Sequence, residues 1–259
     1  MGKCIAVANQ KGGVGKTTTS VNLSSCLAAY GRKVLLIDTD PQGNASSGVG
    51  LSKEESEKSV YDVIINGDNM TDVIVKTDYH NLDICPSNIN LAGAEIELVG
   101  EDNREFLLKN ALKEIKDDYD FIIIDCPPSL GLLTLNSFVC ADSVIIPIQC
   151  EYYALEGLSQ LTNTIRKIKS AFNPELEIEG VLLTMYDTRT NLSVQVAREV
   201  KKYYGSKLYK SVIPRNVRLS EAPSFGQPIN IYDKNSKGCS CYMNLASEVI
   251  QANMERGEE

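Results

Sequence analysis

The 259-residue sequence contains no tryptophan, a single histidine and no run of 18 or more apolar residues. Without a long apolar run, no segment is predicted to cross a membrane, and the N-terminus lacks the pattern of a secretory signal. The eight cysteines include no C-x-x-C pair, so the spacing that a zinc site requires is absent. Most cysteines lie in apolar segments, which favours small core residues in a reducing cytoplasm.

The sequence also lacks an excess of positive charge. Its net charge of −8 argues against a simple nucleic-acid binder. The charges are unevenly placed, however. Residues 50–120 carry seven Lys and Arg against 17 Asp and Glu, whereas residues 163–238 carry 13 against seven. Any attraction to DNA must therefore come from a local basic face in the second region.

A glycine-rich segment lies between a predicted strand and a predicted helix. Residues 4–8 form an apolar run, and the apolar positions of residues 19–30 fit one face of a helix. The segment between them, which we call the phosphate loop, consists of Lys11, Gly12, Gly13, Val14, Gly15, Lys16, Thr17 and Thr18. Glycines permit positive φ, and the helix N-terminus supplies free N–H groups for an anion. The pattern predicts that Lys16 reaches the β- and γ-phosphates of a nucleotide and that Thr17 ligates Mg²⁺.

The phosphate loop departs from the usual G-x-x-x-x-G-K-[ST] pattern. Gln10 stands where that pattern has its first glycine, and Lys11 adds a second lysine ahead of Gly12. The less favoured alternative is a glycine-rich turn with incidental lysines, which would bind nothing.

Two further predicted strands end in carboxylates. Residues 33–37 are followed by Asp38 and Asp40, in a turn that is either solvated or a switch segment facing the γ-phosphate. Residues 119–125 end in Asp125, which matches the Walker B pattern of a carboxylate near Mg²⁺. Because carboxyl ends of parallel strands border the ligand crevice, these aspartates are expected beside the phosphate loop.

Strand patterns alternate with helix patterns along the chain. We predict strands at residues 4–8, 33–37, 82–85, 119–125, 143–148, 178–185 and 208–213. We predict helices at 19–30, 91–99, 106–115, 131–140, 154–172, 193–204 and 242–254, and a loop at 219–228. The alternation predicts an α/β fold of the P-loop NTPase type: a mainly parallel, twisted sheet with helices on both faces, in one domain spanning residues 1–259.

Together these segments resemble the ParA/Soj family of chromosome-partitioning ATPases. The matching segments are KGGVGKTT at 11–18, DTDPQGN at 38–44, DCPPSLG at 125–131, EYYALEGLSQL at 151–161, LLTMYDTRTNLS at 182–193 and IPRNVRLSEAPSFGQPI at 213–229. They span nearly the whole chain and are specific in combination.

The resemblance implies roles for the catalytic and metal-binding residues. Lys11 would reach across an ATP-sandwich dimer, and Lys16 would contact phosphate. Asp40 would orient the attacking water, and Thr17, Asp40 and Asp125 would hold the Mg²⁺ shell. The implied cofactors are ATP or ADP and Mg²⁺.

The resemblance also implies where the base and DNA bind. Pro214 and Asn216 would border the adenine, and Arg189 and Arg218 match positions that contact DNA in the family. Further basic candidates for that face are Arg198, Lys201, Lys202, Lys207 and Arg215. No helix-turn-helix pattern accompanies them, so binding is expected to be independent of sequence.

The implied partners are a ParB-type centromere-binding protein, whose basic N-terminal peptide stimulates hydrolysis, double-stranded DNA, and a second copy of the chain in the ATP state. Localisation would be cytoplasmic and nucleoid-associated.

MinD-type relatives end in a basic helix that lies on membrane, whereas residues 251–259 are acidic, so no membrane partner is expected. Cys126 and Cys140 do not recreate the cysteine motifs of nitrogenase iron proteins.

A second hypothesis comes from a different functional class. The chain could be a metabolic P-loop enzyme that phosphorylates or activates a small substrate, as dethiobiotin synthetase does. The basic region with Arg189 and Arg218 favours the DNA-binding switch instead.

Overall fold

The structure is a computed structural model in which residues 2–52, 56–151 and 154–255 are described. Tyr152 and Tyr153 of the 151–161 segment and the last four residues of the acidic C-terminus lie outside the described residues. The strands are β1 (Lys3–Val7), β2 (Val34–Asp38), β3 (Val75–Lys76), β4 (Leu82–Cys85), β5 (Phe121–Asp125), β6 (Ser143–Gln149) and β7 (Glu177–Thr184). The α-helices are α1 (Lys16–Ala29), α2 (Asn44–Gly48), α3 (Leu91–Glu97), α4 (Leu107–Leu112), α5 (Leu132–Cys140), α6 (Ala154–Ala171), α7 (Asn191–Tyr204), α8 (Val217–Glu221), α9 (Ile229–Tyr232) and α10 (Lys237–Glu255).

The seven strands form one sheet in the order β3-β4-β2-β5-β1-β6-β7. All neighbouring pairs are parallel except β3 and β4. Every residue of β2 and β5 is buried, as expected for central parallel strands that are covered on both faces. The predicted mainly parallel sheet is therefore confirmed, with β3 as an unpredicted antiparallel edge.

Alternate residues of the central strands enter two separate hydrophobic clusters. Ile122 and Ile124 join a cluster that contains α5, α6 and α7, whereas Ile123 packs on the opposite face against α1 and α10. This alternation follows from the two-residue period of a strand. It confirms the prediction of helices on both faces.

Two predictions near the C-terminal third were wrong. Residues 208–213 do not form a strand, although the segment runs parallel to β7 through a bridge from Leu208 to Val181 and continues to a bridge from Pro214 to Tyr186, just beyond β7. The predicted loop 219–228 contains the end of α8 and a 3₁₀ turn over Ala222–Phe225. These helical pieces are only four or five residues long, which is too short for a hydrophobic period to be visible.

All eight cysteines are free thiols, and seven of them are buried. This confirms that most of them are core residues, and Cys241 is half-buried. His80 is exposed in a turn. Among the described residues, no helix combines the length and apolar character needed to cross a membrane.

Candidate functional site

The phosphate loop joins β1 to α1 at the carboxyl edge of the sheet. Gly13 has φ +74° and Gly15 has φ +88°, so both occupy the left-handed region that strains other residues. An added Cβ at Gly12 or Gly13 would meet no atom within 4 Å. The loop therefore has an open face from which a phosphate or another molecule can approach its backbone.

Hydrogen bonds to two neighbouring strands fix the shape of the phosphate loop. The Asn9 side-chain amide donates to the carbonyl of Pro147 at 2.7 Å, and Asn9 Oδ1 accepts from the Lys11 N–H at 3.0 Å. The Thr184 hydroxyl donates to the carbonyl of Val14 at 2.8 Å. Because these partners come from β6 and β7, the loop is held before any ligand arrives.

The two lysines of the phosphate loop have different surroundings. Lys16 is 7% exposed, and its Nζ donates to the Lys11 carbonyl at 3.2 Å. Burial lowers the Lys16 pKa, although Asp125, Cys126 and Asp40 oppose the shift. Lys11 is exposed, and its ammonium forms an ion pair with Glu151, which follows β6. Lys16 is thus turned into its own loop, and Lys11 points outward.

Asp125, at the end of β5, is fully buried and held by two hydroxyls of α1. Thr17 Oγ1 donates to Asp125 Oδ2, and Ser20 Oγ donates to Asp125 Oδ1, both at 2.8 Å. Burial and the neighbouring Asp38 raise the Asp125 pKa. Among the described residues, no three acidic, histidine or cysteine side chains form a ready-made metal site. The Asp125 carboxylate beside the Thr17 hydroxyl still suits Mg²⁺, which usually takes one or two protein oxygens and completes its shell with phosphate and water. A cation would also offset the repulsion among these acids.

The turn after β2 brings two more carboxylates to this edge. Asp38 is fully buried, and its Oδ2 accepts from both the N–H and the hydroxyl of Ser46 at 2.8 Å. Asp40 is 9% exposed, and its Oδ1 accepts from the Gln42 N–H at 3.0 Å. Thr39 Oγ1 donates to the Asp125 carbonyl at 2.7 Å, which ties the turn to β5.

Asp38 was expected beside the phosphate loop, but no catalytic or metal-binding role was predicted for it. Burial raises its pKa, while its hydrogen bonds with Ser46 and Asp40 oppose the shift. The sequence signal available for it was the pair of acids directly after a buried strand. Asp38 is a positioning residue, because its hydrogen bonds with Ser46 and Asp40 fix α2 and the turn that carries Asp40.

A cavity of about 420 Å³ adjoins the phosphate loop at Gly15 and Thr18. We call it the Pro214 cavity. Its lining includes Pro214, Asn216, Met185, Val217, Leu219 and Tyr242. Apolar walls with a few polar groups suit a planar base. The two residues predicted to border adenine therefore lie together in one cavity beside the loop.

Two lining residues of the Pro214 cavity escaped the sequence analysis. Met185 has φ +48°, an unusual conformation for a residue other than glycine. Tyr242, from α10, is fully buried with its hydroxyl 3.2 Å from Thr19 Oγ1. Tyr242 belongs to a helix pattern that gave no sign of a ligand, and only the packing of α10 on α1 brings it here.

The two predicted DNA-contacting arginines lie on neighbouring segments outside the cavity. Tyr186, which precedes the Arg189 turn, pairs with Pro214, which precedes α8 and Arg218. Arg189 has an 87% exposed side chain and forms a two-point contact with Asp187, at 2.9 Å from Nε and 2.7 Å from Nη2.

Arg218 also has acidic partners. Its Nη1 lies 2.9 Å from Glu221 Oε2, and its Nε lies 3.4 Å from Asp233 Oδ2. Both arginines are accessible from solvent, but neither is an unpaired cation.

Comparison with known proteins gives consistent results. A family model described as an AAA domain matches residues 2–178. The chain is 61% identical over 249 residues to the sporulation initiation inhibitor protein Soj of Bacillus subtilis, covering 96% of this chain and 98% of Soj. It is 52% identical to the chromosome partitioning protein ParA of Myxococcus xanthus over 97% of this chain and 89% of ParA. A solved structure of cobyrinic acid a,c-diamide synthase from Mycobacterium smegmatis, with bound ADP and magnesium, superposes with a TM-score of 0.84 at 38% identity, covering 97% of this chain and 95% of that one.

Proposed function

Because the chain belongs to the ParA/Soj family of chromosome-partitioning ATPases, we propose that it is an ATP-dependent dimerising switch that binds DNA without sequence preference in its ATP state. The observation that carries the proposal is the different orientation of the two lysines in the phosphate loop: Lys16 is turned inward and Lys11 points outward. One lysine serves the protein's own nucleotide, and the other, which is held by an exposed ion pair with Glu151, serves a partner's nucleotide.

ATP or ADP with Mg²⁺ is the proposed ligand. The phosphate loop and Lys16 hold the phosphates, and the Pro214 cavity holds the base between Pro214 and Asn216. Thr17, Asp125 and Asp40 supply oxygen atoms for the Mg²⁺ shell, directly or through water. The ADP and magnesium bound to the diamide synthase of similar fold support this assignment.

The positions of the two acids support different roles for them in hydrolysis, which we propose to be slow. Asp125 already accepts hydrogen bonds from two hydroxyls, so its proposed role is to hold the Mg²⁺ shell and not to orient the attacking water. Asp40 lies in the neighbouring turn, where it is the better candidate to orient water. Lys11, in a second copy, would stabilise the charge on the γ-phosphate. Trans cationic groups of this type contribute about 10³–10⁵ in rate, roughly 4–7 kcal/mol of barrier.

The proposed partners are double-stranded DNA and a ParB-type protein whose basic N-terminal peptide stimulates hydrolysis, in the cytoplasm and on the nucleoid. A single basic patch should bind duplex with a Kd on the order of 10⁻⁴–10⁻⁶ M at physiological salt. Two patches on an ATP dimer make the second contact intramolecular, which raises the apparent affinity.

Duplex binding of the Asp40→Ala protein, with ATP and with ADP across a salt series, tests the proposal. The affinity should rise sharply with ATP and fall steeply with salt. Equal affinity in both nucleotide states would refute the switch. Retention of full affinity in an Arg189→Ala/Arg218→Ala variant would remove these arginines from the DNA site.

The likeness to a diamide synthase of known structure favours a second candidate, a metabolic enzyme that activates a small organic acid. The identity to that protein is 38%, against 61% to Soj, so the partitioning role has more support. ATP turnover that depends on a small organic acid would favour the enzyme, and stimulation by DNA with a ParB-type peptide would favour the switch.

A further inference from the structure

Both predicted DNA-contacting arginines are engaged by carboxylates of their own chain. Asp187 accepts three side-chain hydrogen bonds from Arg189, two from Nε and one from Nη2, and also accepts from the Arg189 N–H at 2.9 Å. These hydrogen bonds lower the Asp187 pKa to about 2, so the acid stays ionised throughout the physiological range.

Arg218 is held from two sides by acids on α8 and after α9. Glu221 is three residues further along α8, and Asp233 directly follows α9. Glu221 Oε2 also accepts from the Tyr232 hydroxyl at 3.2 Å, which fixes the carboxylate beside the guanidinium. Arg218 is therefore held by side chains from two helical segments, and its ion pair is more ordered than a contact between two flexible surface side chains.

Such pairing changes what an arginine can offer to DNA. A phosphate contact contributes affinity largely through the release of counterions from DNA by a net positive charge. An arginine beside a carboxylate brings little net charge, and the carboxylate repels the approaching phosphate. The phosphate must therefore displace the acid or bind against it.

We propose that Asp187, Glu221 and Asp233 are competing acids that weaken the DNA affinity of Arg189 and Arg218. The inference rests on the proposed DNA-binding function and concerns the regulation of the same surface. Weak binding by one copy keeps the protein from remaining on DNA alone, so attachment depends on two copies acting together.

The amide variants Asp187→Asn and Glu221→Gln test the inference in the Asp40→Ala background with ATP. Each amide oxygen keeps an acceptor, for the Arg189 N–H and for the Tyr232 hydroxyl respectively, while the charge is lost. Asp233→Asn is added to Glu221→Gln to free Arg218 fully. Glu114→Gln, in the acidic segment 50–120, is the matched control with the same change of net charge.

Exposed ion pairs are weak, so each freed arginine should tighten duplex binding by roughly two- to five-fold. The salt slope should become steeper by up to roughly 1 for each arginine. Glu114→Gln should leave both nearly unchanged. Unchanged or weaker binding in the Asp187 and Glu221 variants, or an equal gain in the control, would overturn the inference. Weaker binding would mean that the acids orient the arginines instead.

The Asp40→Ala parent protein, which carries none of the amide substitutions, separates a failure of the inference from a failure of the proposed function. If the parent binds DNA equally with ATP and ADP, the switch fails, whereas the inference is judged by the ratio of variant to parent affinity. If the parent shows no binding, the proposed function fails, and the inference then stands only if the combined Asp187→Asn/Glu221→Gln/Asp233→Asn variant binds. Thermal melting and ATP binding of each variant verify that it is folded.

Discussion

Lys11 and Glu151, 140 residues apart in sequence, form an ion pair between the phosphate loop and the segment that follows β6. Their side chains are 45% and 42% exposed. An exposed pair of this kind contributes little to stability, so it positions Lys11 without locking it. Lys11 can therefore exchange Glu151 for another anion at low cost.

Loss of Lys11 should abolish dimer formation while sparing nucleotide binding. Lys11→Ala in the Asp40→Ala background should bind ATP yet sediment as a monomer, because the Lys11 ammonium is directed away from its own loop. The exposed Lys113→Ala variant removes the same charge elsewhere and should still dimerise. A dimer of the Lys11→Ala protein with ATP would contradict the trans role.

Asp40 should be needed for hydrolysis and not for binding. Asp40→Ala should keep ATP affinity and lose turnover, because Asp125 remains to hold the metal. Asp40→Asn preserves an acceptor for the Gln42 N–H, so it tests the charge without disturbing the turn. Lys16→Ala should instead weaken ATP binding itself. Phosphate release and a direct ATP titration separate the two effects, and wild-type turnover by Asp40→Ala would refute the assignment.

The hydrogen bond from Ser20 to Asp125 should contribute both to the stability of the fold and to Mg²⁺ binding. Ser20→Ala removes one of the two hydroxyl bonds to a buried carboxylate, which should cost about 1–3 kcal/mol in the free energy of unfolding. It should also lower Mg²⁺ affinity in the presence of ATP by roughly ten-fold, since partners behind a metal ligand orient it.

Ser24 provides the control for Ser20 on the same helix. Its hydroxyl is buried and has no hydrogen-bond partner among the described residues. Ser24→Ala should therefore be neutral in urea unfolding and in Mg²⁺ titration. Equal effects of the two substitutions would show that Ser20 acts only through packing.

Gly180 on β7 should not tolerate a side chain. An added Cβ would lie 2.4 Å from the Tyr209 ring, so either the ring or the strand must move. Gly180→Ala should cost about 1–3 kcal/mol, the usual range for overpacking. Gly157→Ala on α6 meets no atom within 4 Å and should instead stabilise the helix by up to about 1 kcal/mol. Urea unfolding of both variants checks the pair.

The fold was largely predictable because its signals are local. Central strands such as β5 are unbroken apolar runs, and α6 carries a clear hydrophobic period, so both stand out in sequence. Boundaries were less accurate. Helix α1 begins at Lys16 instead of Thr19 because the phosphate loop passes directly into its first turn, and α10 begins at Lys237, five residues early.

The candidate site was predictable only where a motif carries it. The phosphate loop, Asp40 and Asp125 have characteristic neighbours in sequence, and the structure places them at one sheet edge. Tyr242 has none, because its place depends on α10 crossing α1. The acids beside Arg189 and Arg218 were also missed, since a positive charge count over residues 163–238 does not reveal which cations are paired.

The segment 209–214, which ends in the wall of the Pro214 cavity, also covers the β7 edge of the sheet. The Tyr209 N–H donates to Val181 at 3.0 Å, and the Ile213 N–H donates to Leu183 at 2.9 Å, which occupies carbonyls that β7 would otherwise present to solvent. Uncovered strand edges template pairing with other chains and promote aggregation. A substitution that detaches this segment from β7 would therefore do more than weaken ligand binding, because it would expose a strand edge at which copies of the chain can pair and aggregate.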